Sequence, residues 1–220
     1  MSVRAIAVAV LVFSLAGAAS AGGAGITCAR GYSYAGYQSS TVAYGISARI
    51  TVLQPPRVSA GHVAAWIGVG GPGLGRGGSD EWLQVGIAGF ADLSGELYYE
   101  YVSPGMPLRY IPLGTVGVGR EYVLTVVERR PGRWQVVVDG RAKSPVVALP
   151  GSHGSWRPIA TGETWDGGRP ACNGFSYDFQ QVVAATRVGG GWRPFTPSRA
   201  IESRGYRATP RAAGFVTASA

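Results

Sequence analysis

Cysteine, histidine and lysine are all scarce in this 220-residue chain. The two cysteines, Cys28 and Cys172, exclude both a thiol-rich metal site and a dense disulfide framework, and leave room for one bridge. The two histidines, His62 and His153, stand on separate segments with no cysteine near either, so metal-ligand spacing is absent and no metal site is expected. Lys143 is the single lysine among 20 basic residues. Other signatures are missing too. There is no G-x-S-x-G elbow, and Ser152 beside His153 has no obvious partner acid, so a serine triad is not expected. The stretch GVGGPGLGRGG is too glycine-rich for a phosphate-cradling loop and no helix follows it, so no cofactor is expected. No segment keeps a helical period, and none past residue 21 is long and apolar enough to span a bilayer.

At the N-terminus, Arg4, an apolar run over residues 5–16 and the triplet Ala19-Ser20-Ala21 read as a secretory signal peptide over residues 1–21. The expectation is a secreted, extracellular protein without a membrane anchor once the signal is removed, formed by one domain over residues 22–220 and monomeric. In an exported chain Cys28 and Cys172 are expected to pair. Closing so long a loop would restrict the unfolded chain by roughly 4 to 5 kcal/mol in the entropy model.

The net charge is +8, but the excess is spread along the chain. From residue 186 to the end there are six arginines against Glu202, with no interleaving of basic and aromatic residues. Nucleic acid is therefore not an expected partner.

What the chain has in quantity is glycine, 35 residues, with valine, tyrosine and tryptophan between the glycines in short alternating runs. AAWIGVG, EWLQVGI and ELYYEYV read as three strands separated by Gly-rich turns. REYVLTVVE, WQVVVDG and RAKSPVVAL follow as a meander, the last two joined at Asp139-Gly140. FSYDFQQVVAAT is a further strand, Tyr206 and Phe215 mark a final pair, and GYSYAGYQSS reads as a loop. So many short strands with short turns imply two packed antiparallel sheets, an all-β sandwich.

The period of two sorts the chemistry. In EWLQVGI it places Leu83, Val85 and Ile87 on one face and Trp82, Gln84 and Gly86 on the other. In ELYYEYV it sets Tyr98, Glu100 and Val102 opposite Leu97, Tyr99 and Tyr101, and in TGETW it groups Thr161, Glu163 and Trp165. An amide and two carboxylates thus fall among aromatic residues. A solvated sheet face would explain this as well as a site would.

Five motifs in order are similar to those of the glutamic peptidases, the eqolisins of peptidase family G1. AAWIGVGG resembles A-W-V-G-I-x-G, LQVG resembles L-Q-T-G, and YYEYVSP resembles W-Y-E-W-Y-P. SYAGY at the start resembles N-W-x-G-Y, and TGETW resembles the A-E-W/F segment. RAIESRG then sits where the family has its last turn and strand. The family commonly has Asp where this chain has Gly70. The resemblance implies a concanavalin A-like, jelly-roll sandwich and a polypeptide substrate cleaved at acid pH. It implies a catalytic pair of Gln84 and Glu163 on the concave sheet, with Trp66, Trp82, Tyr98, Glu100 and Trp165 lining the substrate cleft.

Two other readings use the same face. A non-catalytic extracellular module could hold a glycan or peptide on its aromatic residues. A sandwich glycosidase would need two carboxylates on one strand face, whereas Glu163 and Asp166 in ETWD fall on opposite faces.

Overall fold

The computed structural model describes residues 30–169 and 171–220. The signal segment and Cys28 lie outside the described residues, and with Cys28 lies the Cys28–Cys172 pairing. Among the described residues no helix is long and apolar enough to cross a membrane.

The strands in chain order are β1 (Tyr32–Ser39), β2 (Gly45–Val52), β3 (His62–Gly71), β4 (Glu81–Phe90), β5 (Leu93–Val102), β6 (Arg109–Thr115), β7 (Glu121–Arg130) and β8 (Arg133–Val138). They continue with β9 (Arg141–Ala142), β10 (Val147–Ala148), β11 (Ile159–Trp165), β12 (Ser176–Arg187), β13 (Gly190–Pro194), β14 (Pro197–Glu202), β15 (Tyr206–Arg211) and β16 (Gly214–Ser219). They form two antiparallel sheets. One has seven strands in the order β14-β1-β11-β3-β4-β5-β6. The other has nine, in the order β10-β8-β7-β2-β12-β16-β15, with β13 on β12 and β9 on β8. The all-β sandwich expected from the strand pattern, with the jelly-roll form that the resemblance implies, is the fold observed.

The core lies between the sheets. Leu83, Val85 and Ile87 of β4 are fully buried there, beside Val63, Ala65 and Ile67 of β3 and opposite Ile46, Ile50, Leu124 and Phe179 of the other sheet. Burial of this apolar face fixes the register, because a one-residue slip would carry Gln84 inward and the aliphatic residues outward. The outer face of the seven-stranded sheet carries a smaller cluster of Ala64, Trp66, Ala88 and Tyr98, against which Tyr34, Phe90 and Tyr110 pack.

Two sequence expectations are corrected. GYSYAGYQSS is not a loop but β1, an interior strand paired to both β11 and β14. Its alternation is written in small and polar residues: Ala35 faces the core and Ser33 is buried, while Tyr32, Tyr34 and Gln38 line the outer cavity. RAKSPVVAL is not one strand but the two dipeptides β9 and β10, both on β8. Pro145 has no N–H for the ladder, and the Ser144 hydroxyl takes over by accepting the Val136 N–H at 2.9 Å. The turn before it is as expected: Asp139 (φ 49°) and Gly140 (φ 76°) both adopt the left-handed conformation that a tight two-residue hairpin needs.

Candidate active-site cleft

The cleft is built by register. On the outer face β3 presents His62, Ala64 and Trp66, with Gly68 and Gly70 continuing the same parity. β4 presents Trp82, Gln84, Gly86, Ala88 and Phe90. Gln84 pairs with Gly68 on one side and Glu100 of β5 on the other. Glu163 of β11 pairs with Ala64 and with Tyr34 of β1. Small residues next to large ones leave a cavity of about 450 Å³, lined by Gln84, Glu163, Glu100, Trp66, Trp82 and Tyr98 among others. The solvated-face alternative does not hold, because Gln84 and Glu163 are only 9% and 7% exposed.

Each polar group is held. The Trp66 indole N–H donates to Glu163 Oε2 at 3.0 Å, and His62 Nε2 lies 3.2 Å from Glu163 Oε1. The Gln84 amide N–H donates to the Tyr98 hydroxyl at 3.1 Å, which aims the rest of the amide by a group that stacks on Tyr110, with ring centroids 4.8 Å apart. Trp82 Nε1 donates to Glu100 Oε1 at 3.3 Å.

Glu100 keeps some surface open to the cavity, yet desolvation of its carboxyl, followed by the nearby Glu163 charge, pushes it up to about 8 against the opposing Trp82 hydrogen bond. At neutral and acid pH it is therefore a neutral acid that can donate. Burial first, then Glu163, also raises the Tyr32 and Tyr34 phenols, and burial raises Tyr98. All three remain uncharged donors and acceptors.

Trp165 departs from its expected place. It is not a wall of the cavity but backs it, with its ring 6.0 Å from Tyr32 and 5.7 Å from His62. Gly70 cannot carry the family's Asp here: its φ is +84°, and a Cβ would fall 2.2 Å from the Glu81 carbonyl oxygen. Asp166 serves the turn, accepting the Gly31 and Gly168 N–H groups at 2.9 Å, and so supplies no second carboxylate beside Glu163.

The residues that sequence reasoning missed are Tyr32, Tyr34, His62, Phe90, Tyr110 and Arg199, all lining the cavity. His62 has the same parity as Ala64 and Trp66, so extending that strand two residues backwards would have found it. His153 does have a partner acid, Glu128, at 3.1 Å. The Ser152 hydroxyl instead donates to the Leu149 carbonyl and accepts from Trp134, so no triad forms. Among the described residues no group of three or more potential metal-ligating side chains converges.

No protein-family model matches the chain and no curated protein matches it. Solved structures do. The chain is similar to a scytalido-glutamic peptidase crystallised with a peptide-based transition-state analogue, at a TM-score of 0.59 and 15% identity, over 88% of this chain and 99% of that one. It is similar also to SCP-B, a member of the eqolisin family crystallised with the tripeptide Ala-Ile-His, at a TM-score of 0.55 and 14% identity over the same shares. The chain thus shares its two-sheet sandwich fold with these peptidases.

Proposed function

We propose that this protein is an endopeptidase of the glutamic type, with Gln84 and Glu163 as its catalytic pair. The observation that carries the reading is the seating of these two groups, nearly enclosed, in one aromatic-walled cleft on a sheet whose fold matches enzymes solved with peptide ligands. Glu163, held by the Trp66 N–H and lying beside His62 Nε2, takes a proton from a water that attacks the scissile carbonyl carbon. The Gln84 amide orients that water and donates to the carbonyl oxygen as it gains negative charge. Glu163 then returns the proton to the departing nitrogen as the C–N bond breaks. The amide does not titrate, so one carboxyl does all the proton transfer. Glu100, neutral below about pH 8, adds a donor without a competing charge.

The test is digestion of an unfolded protein substrate from pH 2 to 7 by the wild type and by Glu163→Gln, with a pepsin-type inhibitor present. Inhibitor-resistant cleavage that the substitution abolishes is the expected result. No cleavage at any pH from a folded sample would reject the reading and favour a binding module that uses the same aromatic cleft for a peptide or glycan.

A further inference from the structure

We infer that His62 is a positioning residue for Glu163, a role that rests on the peptidase reading. The imidazole sits at the edge of the cleft within a surround of rings: Trp165 at 5.7 Å, Tyr32 at 6.1 Å and Phe90 at 6.1 Å between centroids. Its side chain is 15% exposed and that of Glu163 is 9% exposed. Its main chain is pinned, because the Thr164 hydroxyl donates to the His62 carbonyl at 3.2 Å, and Asn173 ties Ala60 to Trp165 by donating to both carbonyls. The ring therefore has little freedom to leave Glu163.

An ionised carboxylate can only accept, so Nε2 is the nitrogen that carries the proton toward Oε1. Trp66 meanwhile donates to Oε2. Two donors from one strand, four residues apart, thus clamp both oxygens of a carboxylate on the neighbouring strand. With one donor fixed on each oxygen, the plane of the group is set and its remaining lone pairs are left for water. A general base must meet its proton within hydrogen-bond reach and in line, and a misplacement of about 1 Å can cost on the order of a hundredfold in rate. The Tyr32 and Tyr34 phenols beside the pair are raised by burial and stay neutral, so they add no competing charge. Among the described residues, Glu163 is the carboxylate within hydrogen-bond reach of the imidazole.

The experiment compares His62→Ala and His62→Gln with the wild type in the full chain, since the Gln amide N–H can occupy the place of Nε2. His62→Ala is expected to lower kcat by roughly ten- to a hundredfold with KM within about twofold, the pattern of a misplaced base. His62→Gln is expected to restore kcat to within about fivefold of wild type. A purely structural role would lower folded fraction without separating the two variants at equal folded concentration. A second readout needs no activity. The chain has two histidines, so His62→Gln assigns the imidazole NMR signals. Glu163→Gln should then move the His62 ring signals and leave those of His153 in place. Wild-type kcat in His62→Ala, or His62 signals indifferent to Glu163→Gln, would overturn the inference. Absence of cleavage by the wild type together with a clear NMR response would instead reject the peptidase reading while the pairing stands.

Discussion

The molecule contains two carboxylate–imidazole pairs of nearly equal length, and they stand in different surroundings. Glu163 and His62 meet at 3.2 Å, Glu128 and His153 at 3.1 Å. Glu163 opens onto a cavity. Glu128 is wholly buried at the end of β7, where it also accepts the Gly132 N–H of the turn into β8. The imidazoles differ in the opposite sense: the His62 side chain is 15% exposed and that of His153 is 46% exposed. A buried acid serving a turn stabilises the fold, whereas a buried acid with lone pairs facing a cleft can do chemistry. Distance alone does not separate the two; what surrounds each carboxylate does.

The sharpest separation comes from the cleft. Beside the loss of cleavage in Glu163→Gln, replacing Gln84 with Ala should lower kcat by roughly a hundredfold or more, as loss of an oxyanion donor does, and shift the thermal midpoint little. Steady-state kinetics beside thermal unfolding checks this. Equal activity with lowered stability would place Gln84 with the structural pair instead.

The desolvated carboxyl of Glu100 tests the comparison through pH. Glu100 is pushed up to about 8 in the folded protein from an ordinary 4.5, so between those values the unfolded chain has released a proton that the folded chain still holds. Stability from this group is complete below about pH 4.5 and is lost as pH rises toward 8, by on the order of a few kcal/mol. Glu100→Gln keeps an oxygen to accept from Trp82 and cannot ionise. Urea midpoints measured from pH 4 to 9 should converge with wild type at the acid end, with the variant more stable at the alkaline end. A wild-type profile that runs parallel to the variant would contradict the burial of that carboxyl.

The three strands of the cleft floor were legible as short apolar and aromatic runs between Gly-rich turns, and in the middle one the period of two placed Leu83, Val85 and Ile87 inward and Gln84 outward. Glu100 and Glu163 followed from the same period. The alternation could not say whether the outer face was wet or enclosed, since that depends on the aromatic residues of β1 and β6. β1 itself was hidden, because Ser33, Ala35 and Gly36 give no hydrophobic contrast. His62 was hidden for another reason: its partner lies 101 residues away, and only the pairing of β3 with β11 brings Trp165 opposite His62. Glu128 and His153, 25 residues apart, are joined in the same non-local way.

On the structural side, Glu128→Ala should cost about 2 kcal/mol of stability, because it leaves the buried Gly132 N–H without its acceptor and opens a small void. Chemical denaturation at one pH reads it, and peptidase activity per folded molecule should be unchanged. A large loss of activity at full stability would mean that the turn between β7 and β8 acts on the cleft and not on the fold alone.

The smallest effect belongs to the outer member of this pair. His153 keeps nearly half its side chain in water, so its contact with Glu128 is screened, and Glu128 retains the Gly132 N–H when the imidazole is gone. His153→Ala should therefore cost about 0.5 kcal/mol or less, plus whatever the ring's packing on Tyr44 contributes at 5.5 Å between centroids. The equivalent change at the other pair, His62→Ala, is expected to act on kcat. The two substitutions remove the same side chain from the same kind of partner, so measuring both in one assay asks whether the cavity beside Glu163 makes the difference. If each histidine affects stability alone, or each affects turnover, the distinction between a turn-holding and a working carboxylate is wrong for this fold.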